Sequence, residues 1–307
     1  MTQQLPRQFQ RNIAGAFGAA GAAWLEQLPG VVAACERRWS LSAGAPVENL
    51  SYNYIAPVQR RDGQAAILKI GFPNPELTTE IEALMVYDGR ACVRLLDDDR
   101  ERGALLLERV RPGTTLIAIE DDGERTRIAA RVMGRLWRPA PGAHRFPTVE
   151  RWAAGLARLR ARFDDGTGPL PPDLVDTAER LFVELIDSMG EPVLLHGDLH
   201  HENILCSERE EWLAIDPKGL VGEPAYEVGA LLRNPLPWLF EQSRPRPAEL
   251  TARRASVLAE ALGFDRERIL RWGFAQAVLS AWWCIEDAGG CWQDQIHCAE
   301  IIQDVLC

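Results

Sequence analysis

The sequence contains no C-x-x-C pair, no H-E-x-x-H, no G-x-G-x-x-G and no long apolar run. Spanning a membrane as a helix takes about 18 or more consecutive apolar residues, so no such segment is expected. The seven cysteines, at 35, 92, 206, 284, 291, 298 and 307, are odd in number. Neither a disulfide framework nor a four-cysteine zinc site is expected from them. Cys284, Cys291 and Cys298 repeat every seven residues, as on one helical face, but Gly289-Gly290 interrupts it. They read as small core residues, with reduced thiols as in a cytoplasm. Basic residues are also in short supply: 34 Lys+Arg stand against 44 Asp+Glu, a net charge of −10. That balance disfavours nucleic acid and anionic membranes and favours a cationic small molecule as partner. IAGAFGAAGAAWL (13–25) imitates a signal peptide but is Gly/Ala-rich and runs into Glu26 without a cleavage site. A short surface helix is expected there.

What is present is length for two lobes, 307 residues in all. Residues 1–40 are mainly helical in pattern. From 40 to 110 the texture is that of a sheet. VENLSYNYIAPVQ (47–59) alternates polar and apolar residues, RRDG supplies a turn, and QAAILKI (64–70) returns. GFPNPEL is a loop, and TTEIEALMVYDGR (78–90) a helix capped by Thr78 or Thr79 and ended by Gly89. ACVRLL (91–96) and ALLLERV (104–110) complete a small antiparallel sheet with one helix. After Pro112-Gly113 helical periodicity dominates, at 120–137, 148–163, 173–189, 224–233, 247–262 and 266–285. A β-rich island interrupts it at 193–216. The expected class is α+β, with a sheet lobe over 1–110 and a helical lobe over 111–307.

That island holds HGDLHHEN (196–203), which admits two readings. His196, His200 and His201 as zinc ligands would make a hydrolase, but the pair four apart needs a helix and the glycine and aspartate after a strand point to a loop. The second reading takes in more of the chain. Asp198 is followed by Asn203 and then by Asp216 in IDPKG, the order of H-R-D-x-x-x-x-N and D-F-G in protein kinases. A loop aspartate orients an acceptor hydroxyl, while an asparagine and a second aspartate hold Mg²⁺, a hard cation wanting oxygen ligands. Lys69, ending AILK in a strand, matches the lysine that contacts ATP phosphates; Glu80 on the next helix is its expected partner.

LLHGDLHHENIL (194–205), WLAIDPKGLVGEPAYEVGALLRNP (212–235) and YDGRACVRLL (87–96) resemble the aminoglycoside/hydroxyurea phosphotransferases, most of all their streptomycin 6-phosphotransferase branch. The resemblance runs over nearly the whole chain. It implies a protein-kinase-like, two-lobed fold and ATP-dependent phosphorylation of a small-molecule hydroxyl, hence antibiotic resistance. It further implies Asp198 as catalytic aspartate, Asn203 and Asp216 on Mg²⁺, and Lys69 with Glu80 at the ATP phosphates. Ser51 is expected near phosphate and the backbone of Glu108–Val110 at the adenine. Pro217 stands where kinases have the Phe of D-F-G, and no A-P-E follows, so no protein substrate or activation-loop control is expected. His196 is expected to brace the loop through nearby backbone. For a cationic acceptor the candidate carboxylates are Glu223, Glu227, Glu286, Asp287 and Asp294, with Glu227, Glu286 and Asp287 preferred. Hydroxyurea or an endogenous small alcohol is the alternative acceptor. A cytoplasmic monomer or homodimer is expected.

Overall fold

The computed structural model describes residues 5–236, 239, 246–287 and 290–306. The chain divides into two compact units, Met1–Gly113 and Thr114–Cys307. The first opens with α1 (Arg7–Trp39) and β1 (Leu41–Ala43), then β2 (Asn53–Arg60), β3 (Ala65–Gly71), α2 (Pro75–Tyr87), β4 (Leu95–Asp99) and β5 (Ala104–Glu108). These strands make one antiparallel sheet in the order β1-β2-β3-β5-β4. Strand side chains alternate between faces, so Ala66, Leu68 and Ile70 of β3 share one of them. They pack in a core with Phe9, Ile13, Trp24, Leu28 and Cys35 of α1. Lys69, between Leu68 and Ile70, leaves by the opposite face and meets α2.

Several expectations are corrected here. The Gly/Ala-rich stretch is no surface helix: Ile13, Gly21 and Trp24 are buried against the sheet, and α1 is broken at Gly18, whose φ of 56° suits a residue without Cβ. Helix α2 begins at Pro75 rather than 78. Asn74 caps it, accepting from the Leu77 amide at 2.8 Å, and Pro75 fits the first turn because its missing N–H would have had no helical partner. The strand expected at 91–96 lies at Leu95–Asp99, and the one expected from 47 starts at Asn53.

In the second unit, β6 (Pro112–Thr115) at the boundary leads to α3 (Asp122–Leu136), β7 (Arg138–Pro139), α4 (Val149–Ala153), α5 (Gly155–Arg162) and α6 (Pro172–Asp187). Then come β8 (Val193–Leu195), β9 (Ile204–Ser207), β10 (Trp212–Ala214), β11 (Leu220–Gly222), α7 (Val228–Leu232), α8 (Pro247–Leu262), α9 (Arg266–Glu286) and α10 (Trp292–Leu306). Strands β9 and β10 form a hairpin, and β8 pairs with both β7 and β11. Helix α9 is buried over most of its surface, Trp272, Phe274 and Trp282 included, and carries the core. The helix expected over 148–163 is two, parted at Ala154. Cys284 and Cys291 form a disulfide, with Cα atoms 5.7 Å apart, contrary to the expectation of reduced thiols. Seven residues along one helix would separate them by about 10 Å. Here α9 ends at Glu286 and α10 starts at Trp292, so the two cysteines do not share one helix. No described helix is long and apolar enough to cross a membrane.

A buried ion pair ties the helices of this unit. Asp122 at the start of α3 accepts from Arg254 Nε and Nη2 at 3.1 and 2.7 Å, and from Arg125 Nη2 at 3.3 Å. Arg254, fully buried on α8, also donates to the Asn234 carbonyl at 2.8 Å. Removing one member of such a group strands the other charge in the interior. Asp122→Ala is therefore expected to lower the unfolding free energy by about 3–5 kcal/mol in urea denaturation. A loss below about 1 kcal/mol, the scale of an exposed pair, contradicts the assignment.

Candidate active site

Two buried constellations hold the predicted residues, one in each unit. In the first, Lys69 Nζ donates to Glu80 Oε1 at 2.6 Å, with the two side chains 3% and 9% exposed. Strand β3 fixes the lysine between β2 and β5, opposite Ile55 and Leu105. The glutamate rises from the second turn of α2. A buried ammonium is costly unless paired, and Glu80 supplies the partner. Ser51 is exposed in the turn before β2, and its carbonyl accepts from Asn12 Nδ2 at 3.0 Å. Glu108 ends β5, its amide donating to the Arg94 carbonyl at 3.0 Å; Val110 follows, partly exposed.

In the second unit HGDLHHEN bridges the end of β8 and the start of β9, and Asp216 follows β10. The loop is built on backbone amides. His196 N and Gly197 N donate to Glu227 Oε2 and Oε1 at 2.6 and 2.9 Å. Glu227 is 1% exposed, on the 3-10 turn Pro224–Glu227. Its place under the loop corrects the expectation that it faces an acceptor. Burial first of all pushes its carboxyl up to about 7, against the pull of the His196 and Gly197 amides. His196 is also fully buried. Its Nε2 sits 2.8 Å from the Ile215 carbonyl, which only accepts, so Nε2 donates; Nδ1 accepts from the Asp198 amide at 3.3 Å. Burial pulls its pKa down to about 4, so the ring works as a neutral brace. The His196 carbonyl in turn accepts from the amides of Lys218 and Gly219, at 2.8 and 3.2 Å. Through these bonds the loop and the IDPKG segment are one hydrogen-bonded body.

Asp198 and Asn203 stand on this frame. Asn203 Nδ2 donates to the Asp198 carbonyl at 2.9 Å, and the Asn203 carbonyl accepts from Ile215 N at 2.9 Å. His200 lies between them: Nε2 is 4.0 Å from Asp198 Oδ2 and 3.3 Å from Asn203 Nδ2. His201 turns inward and is fully buried, with neither ring nitrogen hydrogen-bonded. Burial, with Arg254 and Arg125 near, holds its pKa well below the ordinary value. The histidines are thus spread over three directions, which speaks against a common zinc ion. Among the described residues no three His, Cys, Asp or Glu converge as a metal group.

The oxygens fit a different cation. Asp216 has φ +60°, a left-handed conformation that aspartate tolerates better than most residues and that turns the chain directly after Ile215. Asn203 spends its amide nitrogen on the loop, leaving its oxygen as the acceptor end. One carboxylate and one amide oxygen, with phosphate oxygens to complete the shell, is the donor set that Mg²⁺ takes.

Of the acids considered for the acceptor, Glu223 is held by Arg268 at 2.6 and 2.7 Å and by Trp272 Nε1 at 3.0 Å. Glu286 forms a two-pronged pair with Arg158, 2.8 Å for each bond. Asp287 and Asp294 are exposed. The bracing role of Glu227 was not read from the sequence. The available signal was a lone acid inside an apolar run, since Ala225, Tyr226 and Val228 around it are all buried.

A sheet unit with a buried lysine–glutamate pair, followed by a helical unit whose braced loop presents Asp198, Asn203 and Asp216, defines a phosphotransferase of the protein-kinase-like fold. The chain belongs to the aminoglycoside/hydroxyurea antibiotic resistance kinase family, whose model matches residues 38–288. It is 34% identical over 279 residues to a streptomycin 6-kinase of Streptomyces griseus, covering 88% of this chain and 87% of that one. It is 37% identical to a hydroxyurea phosphotransferase of Kitasatospora aureofaciens, covering 88% and 77%. Choline kinase LicA from Streptococcus pneumoniae shares the fold, with TM-score 0.63, 14% identity, and 91% and 99% of the chains covered. The zinc hydrolase alternative finds no support among these relatives.

The two buried titrating groups of the loop oppose each other. Between pH 4.5 and 7 the unfolded Glu227 has lost its proton while the folded one keeps it, so stability falls as pH rises. Between pH 4 and 6.5 the unfolded His196 is protonated while the folded one is not, so stability rises with pH. Each slope is about 1.4 kcal/mol per pH unit, and over pH 4.5–6.5 they cancel. Glu227→Gln is expected to leave the histidine slope exposed. Urea denaturation should then show the variant losing about 1.4 kcal/mol per pH unit more than the wild-type protein on acidification from pH 6.5 to 4.5. Parallel profiles contradict these protonation states.

Proposed function

We propose that this protein is an ATP-dependent O-phosphotransferase that phosphorylates a hydroxyl of a streptomycin-like aminoglycoside and so confers resistance to it. The observation that carries the reading is the braced loop: Asp198 and Asn203 on one turn, with Asp216 tied to it through Ile215 N and the Asn203 carbonyl. In this reading the Asp198 carboxylate accepts the hydrogen bond of the acceptor hydroxyl, orients its oxygen in line with the γ-phosphate, and takes the proton as the new O–P bond forms and the bond from the γ-phosphorus to the β,γ-bridging oxygen breaks, releasing ADP. Asn203 and Asp216 hold Mg²⁺, which when bound neutralises phosphate charge. Lys69, held by Glu80, reaches the nucleotide phosphates. Ser51 lies near them, and backbone groups of Glu108–Val110 meet the adenine. Such chemistry is largely positioning, which is why so much of the loop is spent on holding itself still. The cell compartment that suits an ATP-consuming resistance enzyme is the cytoplasm, acting as monomer or homodimer.

A second acceptor, hydroxyurea, is favoured by the 37% identical phosphotransferase named for it. Incubation with Mg-ATP and streptomycin, hydroxyurea or other aminoglycosides, with ADP release and acceptor mass followed together, separates the two. Streptomycin is expected to gain one phosphoryl group per ADP; phosphorylation of hydroxyurea alone overturns the first reading. Asp198→Ala is expected to lower kcat by about 10²–10⁴-fold with Mg-ATP binding retained, the range for loss of a general base. Asp216→Ala is expected to weaken nucleotide binding only when Mg²⁺ is present. Both are read by coupled ADP assay and calorimetry, and full turnover in Asp198→Ala contradicts its role.

A further inference from the structure

The acids first considered for the acceptor are mostly committed to other partners, so the recognition of a cationic molecule needs another source. An aromatic corner stands beside the loop. Trp152 of α4 and Trp283 of α9 meet edge to face, with ring centroids 5.1 Å apart and planes at 84°. Both are only partly buried, whereas Trp282, the next residue, is 2% exposed and belongs to the core. The doubled tryptophan thus sends one indole inward and one outward.

The corner touches the loop residue directly before Asp198. Gly197 has φ +86°, and a Cβ there would come within 3.1 Å of Trp152 Cη2. The glycine therefore serves two demands at once: it takes a left-handed conformation, and it lets the indole pack onto the loop backbone. Tyr226, adjacent to Glu227, closes the back of the corner at 6.3 Å from Trp152. Along α9, Glu286 and Asp287 stand three and four residues after Trp283 and so share its side of the last helical turn. Arg158 grips Glu286 from α5, and the Cys284–Cys291 disulfide fastens the chain on either side of this turn. Trp152 thus packs one residue from Asp198, and Trp283, a helical turn from Glu286, stands against it on the side away from the core.

We propose that Trp152 and Trp283 form a wall of the acceptor subsite, stacking a planar guanidinium group of the acceptor on an indole face, with Asp287 and Glu286 at its rim. The inference rests on the aminoglycoside reading and narrows it. Indole is the best of the aromatic rings for a cation, and a guanidinium stacks flat upon it. Streptomycin carries guanidinium groups, while hydroxyurea is neutral, so the wall discriminates between the two acceptors. Glu286 is largely neutralised by Arg158, which leaves the indole faces as the attractive surface for positive charge.

The test is calorimetric binding of streptomycin, and separately of hydroxyurea, to the intact protein and to Trp283→Leu, Trp283→Phe and Trp152→Leu. Product analysis with ATP and thermal unfolding of each variant run alongside. A desolvated cation–π contact corresponds to about a thirtyfold weakening of streptomycin binding in the leucine variants. The Phe variant is expected to fall between wild-type and Leu, which also serves should a leucine variant not fold. Mg-ATP affinity is expected to be unchanged. Equal streptomycin affinity in wild-type protein and folded variants overturns the wall, whether or not streptomycin is phosphorylated. Binding that depends on the tryptophans without phosphorylation upholds the wall and overturns the kinase reading for that acceptor. A wild-type protein that binds no streptomycin overturns both.

Discussion

Glu227 is the group on which the rest of the site hangs. It is an isolated carboxylate inside an apolar 3-10 turn, and both of its oxygens face the loop after β8. Two backbone amides that a tight, buried loop would otherwise leave unsatisfied find their acceptors there. The loop can then curl immediately after a strand, with Gly197 at positive φ, and still bury its first residues. Asp198 emerges from that curl with its own amide bonded to the ring of His196. The carboxylate beneath it holds the turn, together with the His196 ring on the Asp198 amide and the Asn203 amide on the Asp198 carbonyl.

The same economy recurs elsewhere. A charge inside a protein is costly unless a partner of opposite sign or several hydrogen bonds meet it, so the interior charges of this chain come in sets. Lys69 is met by Glu80, Asp122 by Arg254 and Arg125, and Glu227 by the loop amides. The sets differ in use. The Asp122 group joins α3, α8 and the end of α7 and serves the fold. In the proposed function Lys69 with Glu80, and Glu227 with its loop, hold groups in place for chemistry, which is the pattern expected where positioning supplies most of the rate. Asp216, held at φ +60°, adds backbone strain at the same place, as functional turns often do.

Much of this was legible in the residues. The Asp198–Asn203–Asp216 order and the strand lysine are local signals carried by residue type and spacing. The pairing of Lys69 with Glu80 is read from the kinase-like AILK strand and the helix that follows it, and the structure places the two 2.6 Å apart. Long-range closure was less legible. The disulfide depends on where α9 stops, and a seven-residue spacing reads equally well as one helical face. Helix α2 starts three residues before its sequence pattern predicts because Asn74 and Pro75, loop-like in sequence, serve as cap and first turn. Glu227 reads as an acceptor carboxylate in the sequence because an acid in one dimension carries no sign of burial, and Trp152 carries no signal because its contact with Gly197 joins residues far apart in the chain.

Amide hydrogen exchange at His196 and Gly197 tests the bracing of the loop most directly, since it reads the two N–H groups that Glu227 holds. The account predicts that in the intact protein these amides exchange as slowly as those of β8 and β11, and that Glu227→Ala releases them while the α9 amides stay protected. Rapid exchange of both amides in the intact protein, or protection that survives removal of the carboxylate, contradicts it.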